Sequence, residues 1–179
     1  MNLYGYVGNG VVTRVDEFGL KFKFMCDSGR QLVEELAGSD PRLGYLVKWL
    51  EDRSEVITVH LVNNPESEYG GNWHNSGELV INVGTNFYMR SAAHELQHAM
   101  DDLSGWKGVI RSSDWYNINK KVSESEQRAV RTGNIVPNSC PNAGPPSSKY
   151  RGFKVDNPSA AFSPLDGKEY VGPIFSPLR

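Results

Sequence analysis

The sequence predicts a small α+β fold, in which a short mixed sheet packs on helices and a Pro-rich tail follows. Three observations carry this. Glu55 to Val62 alternates Val56, Thr58, His60 and Val62 against Ile57, Val59 and Leu61. Apolar, often β-branched residues on both faces mark a strand in the interior of a sheet. Two stretches, 41–52 and the run ending near Leu103, repeat apolar residues at helical spacing. Finally, eight of the ten prolines lie between Pro137 and Pro177, with Gly144, Gly152, Gly167 and Gly172 among them. That stretch cannot sustain long helices or central strands. Its Tyr150, Phe153, Phe162, Tyr170 and Phe175 are expected to hold the tail partly against the domain.

Length and charge narrow the function classes. The chain has 179 residues, 19 of them Lys or Arg and 21 Asp or Glu, for a net charge of −2. One domain with a tail is the expectation at this length. A nearly neutral chain has no electrostatic footprint for nucleic acid or an anionic membrane, so neither is an expected partner. No apolar run approaches the length of a transmembrane helix. Met1 to Gly10 carry neither a basic patch nor an apolar core, so no signal peptide is expected. The expected location is the cytoplasm of the producing cell, with export by a non-classical route left open. Cys26 and Cys140 are too few for a disulfide framework or a four-cysteine zinc knot.

In chain order, residues 1–20 read as a strand, a Gly8-Asn9-Gly10 turn and a second strand. Over Pro41 to Asp52, Leu43, Leu46, Val47 and Leu50 form one helical face, with Asp40 as N-cap and Pro41 in the first helical position. Asn63-Asn64-Pro65 ends the strand Glu55 to Val62. Gly70-Gly71-Asn72 and Asn75-Ser76-Gly77 read as turns flanking the next strand, Glu78 to Val83. A helix capped by Thr85 or Asn86 then runs to about Leu103, and Gly105 is its natural stop. Ser123 to Gly133 reads as a last, short helix with Glu126, Ala129, Val130 and Gly133 on one face.

The chemistry sits in His94-Glu95-Leu96-Gln97-His98. Histidines at i and i+4 lie one turn apart on one face, so both imidazoles can reach one ion, and neutral imidazole suits zinc. Glu95 lies next to that face, placed to act as general base on a metal-activated water and then as general acid. A catalytic zinc needs a third protein ligand. No histidine follows His98, and Asp101, Asp102, Asp114, Glu124 and Glu126 are the acidic candidates. Glu126 is preferred, because Ala129 on the same face is small enough to let the two helices approach, and Glu124 is next. Ser123-x-x-Glu126 is equally a capping box, in which Glu126 would turn back to its own helix start. Asp101 and Asp102 read as a solvated helix end more readily than as supports for His98. Tyr116 is a candidate oxyanion stabiliser, although beside Trp115 it also reads as core. His60 and His74 read as structural. The strand Glu78 to Val83 could offer its edge to an extended peptide.

His94-Glu95-Leu96-Gln97-His98-Ala99, with Glu126-x-x-Ala129-Val130-Arg131-x-x-Asn134, resembles the NleD-type effector zinc metalloproteases of pathogenic bacteria. The resemblance covers about Val56 to Asn134. It implies a small zincin-like metallopeptidase in which the sheet packs on an active-site helix and a second ligand helix. The activity implied is endopeptidase, with His94, His98 and Glu126 on Zn2+ and Glu95 as base. Pro137-Asn138 stands where that family often has an arginine. Residues 1–20, through Asn2-Leu3-Tyr4, Tyr6, Asn9, Asp16 and Gly19-Leu20, resemble the end of an Rhs YD-repeat shell, after which a toxin domain begins. Val11 and Glu17 depart from that pattern, and with Met1 they suggest a detached remnant or an orphan cassette. The expected organisation is a boundary segment 1–20, a catalytic domain 21–136 and a tail 137–179. The expected partners are a protein or peptide substrate and a cognate immunity protein. Two other readings stay open: a zinc hydrolase of cell-wall peptides, and a non-catalytic metal-binding interaction module.

Overall fold

The computed structural model describes residues 22–105, 124–147, 149–150 and 153–154. The boundary segment 1–20, Asp114, Trp115, Tyr116 and Ser123 therefore lie outside the described residues, as does most of the tail.

Two elements open the fold that the sequence reading left unread. They are the strand β1 (Phe22–Phe24) and the helix α1 (Asp27–Ser39). α1 buries Leu32, Val33 and Leu36, which follow helical spacing. Helix α2 (Pro41–Glu51) then starts as expected. The Arg42 backbone N–H donates to Asp40 Oδ1 at 2.9 Å, and Pro41 occupies the first turn, where its missing N–H costs nothing. The strand β2 begins at Ile57 rather than Glu55 and runs to Val62. It lies inside the sheet, paired in parallel with β1 on one side and with β4 (Glu78–Asn82) on the other.

Gly70-Gly71-Asn72 is not a turn. Gly71–His74 forms the strand β3, antiparallel to β4, and the sheet order is β1-β2-β4-β3. The expected second turn, Asn75 to Gly77, closes this hairpin, with Gly77 in the left-handed region at φ 88°. Both sides of β4 are thus occupied, so it offers no edge to a peptide; β3 is the edge strand on that side. The sequence misled here because Gly-Gly-Asn has little strand propensity. Cross-strand pairing with Leu79 and Ile81, together with the closeness of the helix beneath, overrides it. A Cβ on Gly71 would meet Glu95 Cγ at 3.0 Å and Val80 O at 2.8 Å, so only glycine lets this strand lie so close.

Helix α3 (Tyr88–Leu103) starts after the expected caps: Thr85 and Asn86 precede it, and Phe87 stands at its N-cap without a side-chain bond. Ser104 is its C-cap, and Gly105 takes φ 69° just beyond, as a helix stop does. Helix α4 (Glu124–Ile135) packs along α3. The core gathers Leu36, Leu43, Leu46 and Leu50 of α1 and α2, Ile57 and Val59 of β2, Leu79 and Ile81 of β4, and Ala92, Leu96 and Ala99 of α3. Each fully buried leucine contributes on the order of 2 kcal/mol of transfer free energy.

Beyond α4, Val136 and Ala143 join this core. Arg90, buried on α3, donates to Gly133 O, Gly144 O and Asn138 Oδ1, fastening the first part of the Pro-rich segment to α3. Two short strands, β5 (Lys149–Tyr150) and β6 (Phe153–Lys154), pair antiparallel. Cys26 and Cys140 are both free thiols.

Candidate metal centre

α3 is held under the sheet by its alanines, Ala92, Ala93 and Ala99, all fully buried. This close seat presents His94 and Glu95 to a cleft between the edge strand and α4. The cleft is about 560 Å³ and is lined by Tyr69, Gly70, Gly71, Ser91, His94, Glu95, Val130 and Gly133, among others. Ala129, fully buried, brings α4 close to α3 as expected.

The three favoured ligands meet. His94 Nε2 and His98 Nε2 lie 3.1 Å apart. Glu126 Oε2 lies 3.4 Å from the first and 3.6 Å from the second. A tetrahedral ion with bonds of about 2.1 Å sets its donors about 3.4 Å apart, so this triangle has the right size for one face of such a site. The residues fit a metal ion, and among the described residues no other group of histidine, cysteine and carboxylate side chains is so arranged. Glu126 therefore directs its Oε2 to α3; Ser123, its partner in the alternative capping box, lies outside the described residues. Of Glu124 only the backbone is described. The donors are largely but not wholly buried, with side-chain exposures of 13%, 19% and 10% for His94, His98 and Glu126.

Charge favours a cation here. Burial disfavours the imidazolium of His98, yet the neighbouring Glu126 carboxylate, with Glu95 and Asp101 further off, outweighs it and raises the His98 pKa above its ordinary value. Burial likewise disfavours the Glu126 carboxylate, but its contacts with His94 and His98 hold its pKa well below the ordinary carboxylate range.

Glu95 does not join the triangle. Its Oε2 accepts the Trp73 backbone N–H at 2.9 Å, on the outer side of the edge strand. Trp73 is anchored in turn, because its indole Nε1 donates to Asp102 Oδ2 at 3.2 Å. The general-base candidate is thus held at the cleft wall by backbone, one residue along the helix from the candidate ligand His94.

Asp101 is not a solvated helix end. It is fully buried. Its Oδ1 accepts Gln97 Nε2 at 2.7 Å and both Nε and Nη2 of Arg128, at 3.1 and 3.0 Å. Its Oδ2 accepts the Ser125 hydroxyl at 3.3 Å. Burial pushes the Asp101 pKa up, against the opposing pull of Arg128 and Gln97. Thr132 Oγ1 donates to Gln97 Oε1 at 2.8 Å and closes this buried polar clasp between α3 and α4. Gln97, Ser125, Arg128 and Thr132 escaped the sequence reading. Their signal was present as polar residues at 125, 128 and 132, spaced three and four apart beside the face that carries Glu126.

His60 lies within β2 and His74 within β3, where its Nε2 is 3.2 Å from Asn72 Nδ2; neither belongs to the group of metal-ligating side chains. Among known proteins, no family model, curated sequence or solved structure matches this chain.

Proposed function

We propose that this chain is a zinc-dependent endopeptidase of toxin or effector type, with a zincin-like arrangement of its site. The observation that carries this reading is the triangle of His94, His98 and Glu126, sized for a tetrahedral ion, whose His94 lines a cleft together with Glu95. The choice of zinc follows from two imidazoles and one carboxylate, a donor set that zinc uses in hydrolases. Such an ion, when bound, supplies a Lewis acid and lowers the pKa of water toward neutrality.

The chain's own residues account for the rest. His94, His98 and Glu126 hold the ion in place. Glu95 receives a proton at the carboxylate, while the Trp73 N–H fixes one of its oxygens and so orients the other. The proton then passes to the leaving amine. Strand β3, the sheet edge beside the cleft, offers backbone groups to which an extended peptide can align. The toxin or effector character rests on the likeness of residues 1–20 and 94–134 to Rhs shells and NleD-type effectors. A cognate inhibitor that fills the cleft belongs to the same reading.

Glu95→Gln is the decisive variant. The glutamine carbonyl can still accept the Trp73 N–H, but the amide cannot take up a proton. The expected result is unchanged zinc content with cleavage of an unfolded protein abolished. Retained cleavage would refute the assignment. Parallel incubation with peptidoglycan separates an endopeptidase from a hydrolase of cell-wall cross-links. A zinc-loaded protein inert on both substrates would favour a non-catalytic module.

A further inference from the structure

The metal centre uses only one nitrogen of His98, and the other has a specific partner. Nε2 faces His94 and Glu126, while Nδ1 lies 3.1 Å from the Ser125 hydroxyl. Ser125 is 3% exposed, and its hydroxyl sits 3.3 Å from Asp101 Oδ2. We propose that Ser125, directed by Asp101, selects the tautomer of neutral His98 that leaves Nε2 bare for a metal. Ser125 is then a positioning residue.

The argument is one of hydrogen counting. A serine hydroxyl has a single hydrogen to give. Asp101 Oδ1 is already crowded by Gln97 Nε2 and by two nitrogens of Arg128, which leaves Oδ2 to receive that hydrogen. Once the hydroxyl points to Asp101, Ser125 Oγ has only lone pairs for His98. Nδ1 must therefore carry the ring proton, and Nε2 holds the free pair that a metal takes up. Without this device the balance reverses. Nε2 faces a carboxylate oxygen at 3.6 Å and a second imidazole nitrogen at 3.1 Å, and both attract a proton to it. An ion would then have to displace that proton.

The geometry also links the third ligand to the second. Ser125 and Glu126 are successive residues of α4, so the placement that brings Glu126 Oε2 to the triangle also brings Ser125 Oγ to Nδ1. The clasp of Asp101 and Arg128 fixes that placement from the α3 side.

This inference rests on the metal-centre reading, and two measurements separate its failure from the failure of that reading. The first is made on the 179-residue chain without metal, at a pH where the imidazoles are neutral. Long-range 1H–15N correlation spectra assign the tautomer of each histidine. Wild type should show His98 protonated on Nδ1, and Ser125→Ala should shift it toward Nε2. A merely structural role for Ser125 would not move this signature. The second is the Zn2+ dissociation constant by chelator competition, for which loss of a hydrogen-bond partner to a metal histidine predicts weakening of about 10–100-fold in Ser125→Ala. Unchanged zinc affinity in that variant would overturn the inference while leaving the metal centre standing. Wild-type His98 protonated on Nε2 would overturn it as well, and this readout needs no variant to fold. Wild type that binds no zinc would overturn both.

Discussion

The contact between Asp101 and Arg128 offers the sharpest test of how α3 and α4 are held together. Arg128→Met keeps most of the side-chain volume and removes the charge. In the native protein Asp101 is fully buried and Arg128 only 11% exposed at the side chain. The carboxylate has four donor contacts, two from Arg128 at 3.0 and 3.1 Å, one from Gln97 at 2.7 Å and one from Ser125 at 3.3 Å. Breaking a buried ion pair from one side costs about 3–5 kcal/mol. Because two of the four donors survive, the lower end applies, about 3 kcal/mol. For a chain of 179 residues this corresponds to a fall in Tm of about 6–12 °C.

The deficit should also depend on pH in a defined direction. Asp101 titrates above its ordinary value of 3.8 in the folded protein, chiefly because it is buried, and loss of Arg128 raises it further. A carboxyl whose folded pKa exceeds its unfolded one contributes stability that is full below the unfolded value. That contribution is lost as pH rises through the folded value. The Arg128→Met deficit should therefore shrink on acidification from neutral pH. The assay is urea unfolding of both proteins, metal-free, at several pH values. A loss under about 1 kcal/mol, or a deficit that does not change with pH, would refute the clasp as the tie between α3 and α4.

Two further outcomes follow from the same structure. Zinc affinity should fall on acidification, because the ion competes with protons at the imidazoles. With the His98 pKa raised above 6.5, one unit below that figure leaves at most about one ring in ten neutral, an expected loss of at least about tenfold that chelator competition reads directly. In α2, Asp40→Ala removes the N-cap and should cost about 1 kcal/mol in urea unfolding, with zinc affinity unchanged. Burial opposes the Asp40 charge, but the hydrogen bonds and charge of Arg42 lower its pKa overall. Its contribution is therefore present above 3.8 and lost as pH falls through the folded value.

Local rules made the metal motif legible in the chain itself. A spacing of four residues on a helix brings two imidazoles to one face whatever surrounds them, so His94 and His98 could be paired without knowing the fold. The same holds for Asp40 and Pro41 at the start of α2 and for Gly105 past the end of α3, where the backbone needs only its neighbours. The alternation of Ile57, Val59 and Leu61 marked an interior strand for a similar reason.

Tertiary structure decided whatever depends on which surfaces meet. The spacing of Ser123 and Glu126 suits a capping box and a metal ligand equally, and only the approach of α4 to α3 turned Glu126 toward the histidines. Asp101 looks like a solvated helix end by type and position. It is buried because Arg128, Ser125 and Gln97 satisfy its oxygens, and two of those partners come from a helix more than twenty residues away. Gly71 and Asn72 have little strand propensity, yet they join the edge strand through long-range pairing with β4 and contact of Gly71 with Glu95. Short-range preferences amount to fractions of a kcal/mol per residue, whereas burial and cross-strand pairing contribute several together, so packing prevails wherever the two disagree.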